Sequence, residues 1–183
     1  LVAQIGTGTI DFDALDQTIR RFVPSGNDIH DELSKLRMTE QFANDLFHTT
    51  GLHNDYTNRS LGTLGGGNHF IEVAKDDEGM HYLLIHTGSR YVGAKVANWH
   101  QNRAFESLRR MDLTEKIEAL KAHGRHQEIQ RMIADYKNEN PVVPKDLSYL
   151  EGDLFDDYIA DMKLAQQFAH DNRQTIAQII AQQ

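Results

Sequence analysis

The run Gly65-Gly66-Gly67 divides this chain, because neither a helix nor a strand passes through three consecutive glycines at low cost. It is followed at once by a polar pair and an apolar stretch, Asn68-His69-Phe70-Ile71-Glu72. Such a run indicates a loop whose backbone lies close to a ligand or adopts positive φ angles, or else a flexible connection between two elements. It has neither the ending of a Walker phosphate loop nor the spacing of a dinucleotide-binding fingerprint.

Apolar residues on the two sides of this run follow two different periods. The β-favouring runs 70–73 and 82–85, joined by Asp76-Asp77-Glu78-Gly79, predict a β-hairpin. Spacings of three and four residues predict helices over 12–19, 29–48, 92–111, 115–136 and from Phe155 to the last residue. The expected fold class is therefore α+β, with a central β-hairpin or small sheet and several long helices packed beside it.

Composition narrows the class of protein. The chain has 183 residues and no cysteine, which predicts one domain and excludes both a disulfide-built scaffold and a thiolate ligand from the chain itself. With 39% hydrophobic residues and 3 prolines it is typical of a globular protein. Its 19 Lys and Arg against 27 Asp and Glu give a net charge of −8, so any nucleic-acid site must be local and cannot rest on bulk electrostatics.

The first residues and the lengths of the apolar runs indicate where in the cell the protein is expected. The sequence starts within an apolar stretch and without Met, which predicts that the chain begins partway through a longer protein. No basic and then apolar leader is present, and no apolar run approaches the roughly 18 residues that span a bilayer. We therefore expect a cytoplasmic location and no membrane partner.

Two histidines fall where the predicted hairpin brings chain segments together. The segment from Gly62 to Gly67 is called the glycine loop below. His69 precedes the first strand and His86 ends the second, so antiparallel pairing brings His86 close to the glycine loop. Neutral imidazole suits Zn, Mn or Fe, and the pair predicts a metal site; the alternative is that backbone groups satisfy each histidine. Strand alternation places His69 and Glu72 on opposite faces, which assigns them different roles.

The segment Thr87-Gly88-Ser89-Arg90 ends the second strand and precedes a predicted helix. Its guanidinium, its hydroxyl and the free amides of a helix start predict an anion site at Ser89 and Arg90, with phosphate or sulfate as the guest. The alternative is an arginine that caps a helix or crosses the surface. His30 is a further candidate because it follows a Pro-Ser-Gly turn, whereas the charged run from Lys116 to Arg131 predicts a solvated helix face.

Taken together, these motifs resemble the RtcB family of RNA-splicing ligases, and the resemblance covers nearly the whole chain. Two central segments carry it, and shorter ones flank them: Leu61 to Val73, Ile85 to Arg90, Phe22 to Gly26, Asp146 to Gly152, Asp156-Asp157-Tyr158 and Asn172-Arg173. The resemblance implies GTP- and Mn²⁺-dependent joining of an RNA end bearing a 2′,3′-cyclic phosphate or 3′-phosphate to an end bearing a 5′-hydroxyl. The implied partners are tRNA halves or broken RNA.

The resemblance also implies roles for single residues. His69 and His86 match two family histidines that bind manganese, one for each ion of a two-metal site. The residues that match the segment lining the bound guanylate are Asn68, His69, Phe70, Ile71 and Glu72. Asn68 would lie near the phosphate, and Glu72 would accept hydrogen bonds from the guanine amino edge. Arg90 matches an arginine that holds RNA phosphate.

The chain also departs from the family pattern. An Asp and Cys metal motif, a further metal-binding histidine and the guanylylated histidine of the family have no counterpart in this sequence, and Tyr91 stands where the family usually has glycine. The resemblance therefore implies a partial RtcB-like ligase domain over residues 1–183, with a variable helical insertion at 112–145. We expect the parent protein to be an RNA ligase and this chain alone to be inactive.

Three alternatives remain open at this point. The chain is a non-catalytic module for Mn²⁺ or guanine nucleotide, or half of a ligase that needs a partner chain carrying the missing ligands. It is a metal-dependent hydrolase that combines His69 and His86 with carboxylates such as Asp55 or Asp157. Or it is a structural segment without a bound ligand.

Overall fold

The computed structural model describes residues 1–32, 51, 54–109, 113–139 and 143–182. These form an α+β fold, which confirms the predicted class. The elements in chain order are β1 (Val2–Gly6), α1 (Phe12–Phe22), α2 (Asn54–Ser60), β2 (Phe70–Lys75), β3 (His81–His86), α3 (Arg90–Arg109), α4 (Thr114–Ala122), α5 (His126–Glu139), a 3-10 turn (Lys145–Leu147) and α6 (Asp153–Ala181).

The described strands form one antiparallel sheet in the order β1-β3-β2. The predicted hairpin is confirmed, since β2 and β3 pair from Phe70 opposite His86 to Lys75 opposite His81. Strand β1, which was not predicted from the sequence, adds a third strand on the other side of β3. The register places His86, at the end of the central strand β3, opposite Phe70, where the glycine loop enters β2.

Most predicted helices are present with shifted ends. Helix α1 begins after Asp11, whose carboxylate accepts the backbone N–H of Ala14, and it runs three residues beyond the predicted end. The predicted helix over 29–48 is wrong at 29–32, which are not helical, and its remainder lies outside the described residues. The predicted helix over 115–136 is divided at Gly124, which has a φ of +69°.

The chain divides into two compact units, Leu1–Ala97 with Asp157–Gln183 and Asn98–Asp156. In the first unit, one face of the sheet packs on α6 around a buried cluster of Val23, Leu83, Ile85 and Ile176. A second buried cluster in the same unit joins α3 and α6 beneath the glycine loop through Leu61, Val92, Val96 and Phe168. These clusters give the loops of the first unit a rigid base.

The second unit contains the helical hairpin of α4 and α5. No residue of α5 is buried, and neighbouring charges pair along the surface, Lys121 with Glu118 and Arg125 with Glu128. This pairing agrees with a solvated charged face. Among the described helices, none combines the length and apolar character that a membrane span requires.

Candidate functional site

Two loops that are distant in sequence meet at Gly65. The N–H of Gly26 donates to the Gly65 carbonyl at 2.9 Å, and the N–H of Leu64 donates to the Pro24 carbonyl at 2.8 Å. Ser25 and Gly65 form an isolated parallel bridge. Backbone hydrogen bonds therefore join the turn Pro24-Ser25-Gly26 to the glycine loop.

Gly65 is the position where the absence of a side chain matters most. Its φ is +88°, and a Cβ atom there would overlap Nη1 of Arg90 and lie 2.5 Å from Nδ1 of His69. An alanine at this position would be strained for two reasons. The positive φ disfavours L side chains, and the methyl group would clash with Arg90 and His69. The loop thus brings the guanidinium of Arg90 and the imidazole of His69 together over its own backbone.

Arg90 points into this loop. Its Nε donates to Oγ1 of Thr63 at 2.9 Å, and its Nη2 donates to the carbonyl of Gly26 at 2.8 Å. Arg90 has a φ of +54°, the one positive value among the described non-glycine residues, which is a form of strain that surrounding contacts must hold in place. Burial lowers the pKa of Arg90, which nonetheless keeps its charge at neutral pH.

Helix α6 forms hydrogen bonds to the backbone of the same loop. Asn172 is fully buried; its Oδ1 accepts the N–H groups of Gly62 at 2.7 Å and Thr63 at 3.0 Å, and its Nδ2 donates to the Thr63 carbonyl at 2.9 Å. The next residue, Arg173, donates through Nη1 to the Thr87 carbonyl at 2.8 Å. One turn of α6 therefore holds both the glycine loop and the loop that follows β3.

The two predicted metal-binding histidines are neighbours. Their ring centroids lie 6.1 Å apart with the planes at 60°. His86 also stacks on Phe70, its partner in the strand register, at 5.3 Å and 13°. Oγ1 of Thr87 lies 3.5 Å from Nδ1 of His69 and donates its own proton to the Leu64 carbonyl at 2.6 Å.

The described residues contain no group of three or more His, Asp or Glu side chains placed to hold one metal ion. Asp55 and Asp157, the carboxylates that a hydrolase would combine with the two histidines, are not part of any such group. Asp55 pairs with Arg59 at 3.5 Å, and Asp157 lies on α6. Within the described chain the two histidines are therefore neighbours, and no third side chain of these types is placed with them to hold one ion.

The residues predicted to line a guanylate divide between the two faces of β2. Phe70 and Glu72 are exposed on one face, and Asn68 is exposed just before the strand. Ile71 packs instead against the buried cluster on the other face, so its side chain is turned away from Phe70 and Glu72. His69, just before the strand, lies beside Gly65 and Gly88.

Ser89 and His30 also lie at these loops. Oγ of Ser89 lies directly over Gly93 in the first turn of α3, where a Cβ would overlap it. A cavity of about 330 Å³ opens beside Gly88 and Ser89, with mostly small and apolar residues of α3 and α6 as its walls. Nε2 of His30 lies 3.2 Å from the Gly62 carbonyl, so His30 braces the glycine loop.

Four residues that hold the loops had no role predicted from the sequence: Thr63, Thr87, Asn172 and Arg173. A signal for one of them was present. Phe168, Asn172 and Ile176 recur at intervals of four on the stripe of α6 that faces the core, and all three have no exposed surface. An asparagine on such a stripe must find buried hydrogen-bond partners, which marks it as a structural anchor.

The described chain combines a glycine loop, two neighbouring histidines and an inward-turned arginine on an α+β scaffold, and the comparisons with known proteins identify its family. A family model described as "tRNA-splicing ligase RtcB" matches residues 10–183. The chain belongs to the RtcB family.

Two curated relatives from Escherichia coli share this similarity. They are "RNA-splicing ligase RtcB1" of strain ATCC 25922 and "RNA-splicing ligase RtcB" of strain K12, each 32% identical to the chain over 117 residues. The matched stretch covers 63% of this chain and 22% of each relative. The chain therefore corresponds to a minor part of those proteins.

Proposed function

We propose that this chain is the part of an RtcB-type RNA ligase that holds guanylate and manganese beside the RNA ends. The reaction is the GTP- and Mn²⁺-dependent joining of a 2′,3′-cyclic phosphate or 3′-phosphate end to a 5′-hydroxyl end, in tRNA splicing or in RNA repair. One observation carries the proposal: in a member of the RtcB family, His69 contacts both His86 and the Gly65 backbone that Arg90 crosses.

The paired imidazoles are donors that suit a divalent transition metal. The hydroxyl proton of Thr87 goes to the Leu64 carbonyl, so a hydrogen bond between Thr87 and His69 would have Nδ1 of His69 as its donor, and the lone pair on Nε2 would then be left for a metal. Mn²⁺, when bound, supplies positive charge that offsets phosphate charge. The proposal takes the remaining metal ligands from outside the described residues.

The exposed edge of β2 is the proposed guanylate-binding surface. Glu72 projects from the solvent face two residues after Phe70, and a carboxylate there accepts the N–H groups of the guanine edge. Asn68 stands between this strand and the glycine loop, where an amide reaches a phosphate oxygen. The backbone of Ile71 completes the surface between them.

Arg90 has two roles in this proposal: it holds the loop, and it binds a phosphate. Nε and Nη2 hold the loop through Thr63 and Gly26, and a guanidinium has five N–H donors in all. A phosphate that enters beside Ser89 meets the remaining donors of a charge that is already fixed in place. Preorganised positive charge of this kind binds an anion without the entropy cost of ordering a flexible side chain.

A second form of the same function is favoured by one observation. Because the described residues hold no set of three metal ligands, the chain also fits a Mn²⁺- and guanine-nucleotide-binding module, or a half-ligase that a partner chain completes. In either form we propose a partial ligase domain over 1–183 with a variable helical insertion at 112–145, inactive by itself.

Calorimetric titration with nucleotide in the presence of Mn²⁺ tests the guanylate surface. IMP lacks the 2-amino group of GMP, so the unchanged chain should bind GMP roughly 10-fold or more tightly than IMP, the effect of one hydrogen bond to a charged group. Glu72→Ala should bind both equally weakly. Glu78→Ala removes an exposed carboxylate from the β2–β3 turn and should retain the preference. Equal affinity of the unchanged chain for GMP and IMP would contradict the assignment.

Incubation with radiolabelled GTP and Mn²⁺ tests the second part of the proposal. The chain alone should form no covalent GMP adduct, and a full-length RtcB ligase run in parallel shows that the assay works. A stable adduct on the 183-residue chain would show that a nucleophile lies within it.

A further inference from the structure

Next to the loop that holds Arg90, an exposed tyrosine and two half-buried neighbours form an aromatic and cationic surface, which we call the Tyr91 patch: Tyr56, Tyr91 and Lys95. Tyr91 is 47% exposed. Nζ of Lys95, one helical turn further on, lies 5.1 Å from the ring centroid. The ring of Tyr56 meets that of Tyr91 edge-on, with centroids 6.0 Å apart and planes at 74°.

The patch adjoins the site already described. Tyr91 directly follows Arg90, whose guanidinium turns inward to Thr63 and Gly26. Burial lowers the pKa of Arg90 most and the nearby Tyr56 raises it, so Tyr56 lies within electrostatic range of the guanidinium. All of these residues belong to the first compact unit. Tyr56 therefore links the patch to Arg90, because it contacts the Tyr91 ring and lies near the guanidinium.

About half of Tyr91 stays exposed, so part of a large aromatic side chain is open to a planar ligand. Tyr56 holds the Tyr91 ring from one direction, which restricts its rotation. The exposed contact between Lys95 and the ring is weak, so the ammonium can leave the ring for a stronger anionic partner. Asp55, the acidic neighbour of Tyr56 in α2, is already paired with Arg59.

We propose that the Tyr91 patch is a binding subsite for one nucleotide of single-stranded RNA, with the base stacked on Tyr91 and the adjoining phosphate paired with Lys95. The inference rests on the proposed function, which supplies RNA as the substrate class. The ring offers a surface for a base, and the ammonium 5.1 Å from the ring centroid offers a positive charge for the phosphate of the same nucleotide. Stacking on aromatic rings is the usual way in which proteins hold unpaired bases.

Fluorescence anisotropy with a labelled 12-nucleotide oligoadenylate bearing a 3′-phosphate tests the stacking contact on the full 183-residue chain. Tyr91→Ala should weaken binding roughly 5- to 150-fold, the range for loss of one base–aromatic stack. Tyr91→Phe, which keeps the ring, should bind within about 3-fold of the unchanged chain. Tyr149→Ala removes a tyrosine of similar exposure in the other unit and should leave affinity unchanged.

The salt dependence tests the phosphate contact. For a single strand, loss of one phosphate contact lowers the slope of log affinity against log salt concentration by about 0.7. Lys95→Ala should show this decrease, whereas Lys163→Ala, which removes an exposed lysine from α6, should not. An abasic oligomer of the same length should bind the unchanged chain and Tyr91→Ala equally.

Two results would overturn the subsite: affinity that Tyr91→Ala does not change, or an unchanged chain that fails to bind the oligomer. The GMP and IMP titration separates this failure from failure of the proposed function, because Tyr91 is not part of the guanylate surface. Tyr91→Ala should keep the preference for GMP. A chain that prefers GMP but does not bind the oligomer would contradict only the Tyr91 patch. A chain that binds GMP and IMP equally would contradict the guanylate site.

Discussion

Asn172 and Thr63 form a reciprocal pair in which one side-chain amide satisfies both backbone groups of one residue. Oδ1 of Asn172 accepts the Thr63 N–H at 3.0 Å, and Nδ2 donates to the Thr63 carbonyl at 2.9 Å. Oγ1 of Thr63 in turn accepts from Arg90. A buried asparagine on α6 is thus two contacts away from the guanidinium, and the position of Arg90 depends on the packing of the core.

Removal of this amide should be strongly destabilising. In Asn172→Ala the N–H groups of Gly62 and Thr63 and the Thr63 carbonyl lose their buried partner, at about 1–3 kcal/mol for each unsatisfied group. We expect the free energy of unfolding to fall by about 3 kcal/mol or more in urea titrations. Gln167→Ala, at an exposed position of the same helix, should change it by less than about 0.5 kcal/mol. A decrease below about 1 kcal/mol in Asn172→Ala would mean that water replaces the amide.

Gly65 and Gly67 form a matched pair for testing the close approach of Arg90 and His69. Both have positive φ, but a Cβ at Gly67 meets nothing within 4 Å. Gly67→Ala should therefore cost about 1 kcal/mol for backbone conformation alone. Gly65→Ala should cost about 1–3 kcal/mol more, because Arg90 and His69 must move. Chemical denaturation of the two variants gives the difference directly, and equal losses would show that the contacts over Gly65 are not tight.

The local parts of this structure could be predicted from the sequence. The β-favouring runs that flank Asp76-Asp77-Glu78-Gly79 specify β2 and β3, because alternation and turn residues act between near neighbours. Helix α6 follows from its spacing of three and four residues. His69 and His86 could be expected to meet, since a hairpin brings the ends of its two strands together.

The contacts that complete the site could not be predicted in this way. Strand β1 pairs with β3 across about 80 residues, and Asn172 reaches Thr63 across 109. No local period encodes such pairings, which depend on how the core packs. The inward direction of Arg90 was also out of reach, because it depends on a positive φ at a residue type that seldom adopts one.

The paired histidines predict a stabilising effect of Mn²⁺ on the fold. A ligand at a hundred times its Kd adds about 2.7 kcal/mol to the folded state, which raises Tm by about 5–10 °C for a chain of this length. His69→Ala and His86→Ala should each abolish the rise in differential scanning calorimetry. His126→Ala, which removes an exposed histidine from α5, should retain it. A rise that survives in both site variants would place the ion elsewhere.

Asp76 gives the fold a defined response to acid. Its pKa lies below the ordinary value chiefly because the backbone N–H of Met80 donates to it, and the hydroxyl of Tyr82 and the N–H of Glu78 add to the effect. A carboxyl whose pKa is lower in the folded state stabilises the fold above its unfolded pKa of about 3.9, and this contribution is lost as pH falls through the folded pKa. The folded state therefore gains stability from the ionised form.

Asp76→Asn should accordingly be less stable than the unchanged chain at pH 7, and the difference should shrink as pH falls below about 4. Urea unfolding at pH 7, 5 and 3 measures it. Asp77→Asn removes an exposed charge from the same turn and controls for the change in net charge. A difference between Asp76→Asn and the unchanged chain that stays constant across this range would show that the hydrogen bonds of the turn do not depend on the charge of Asp76.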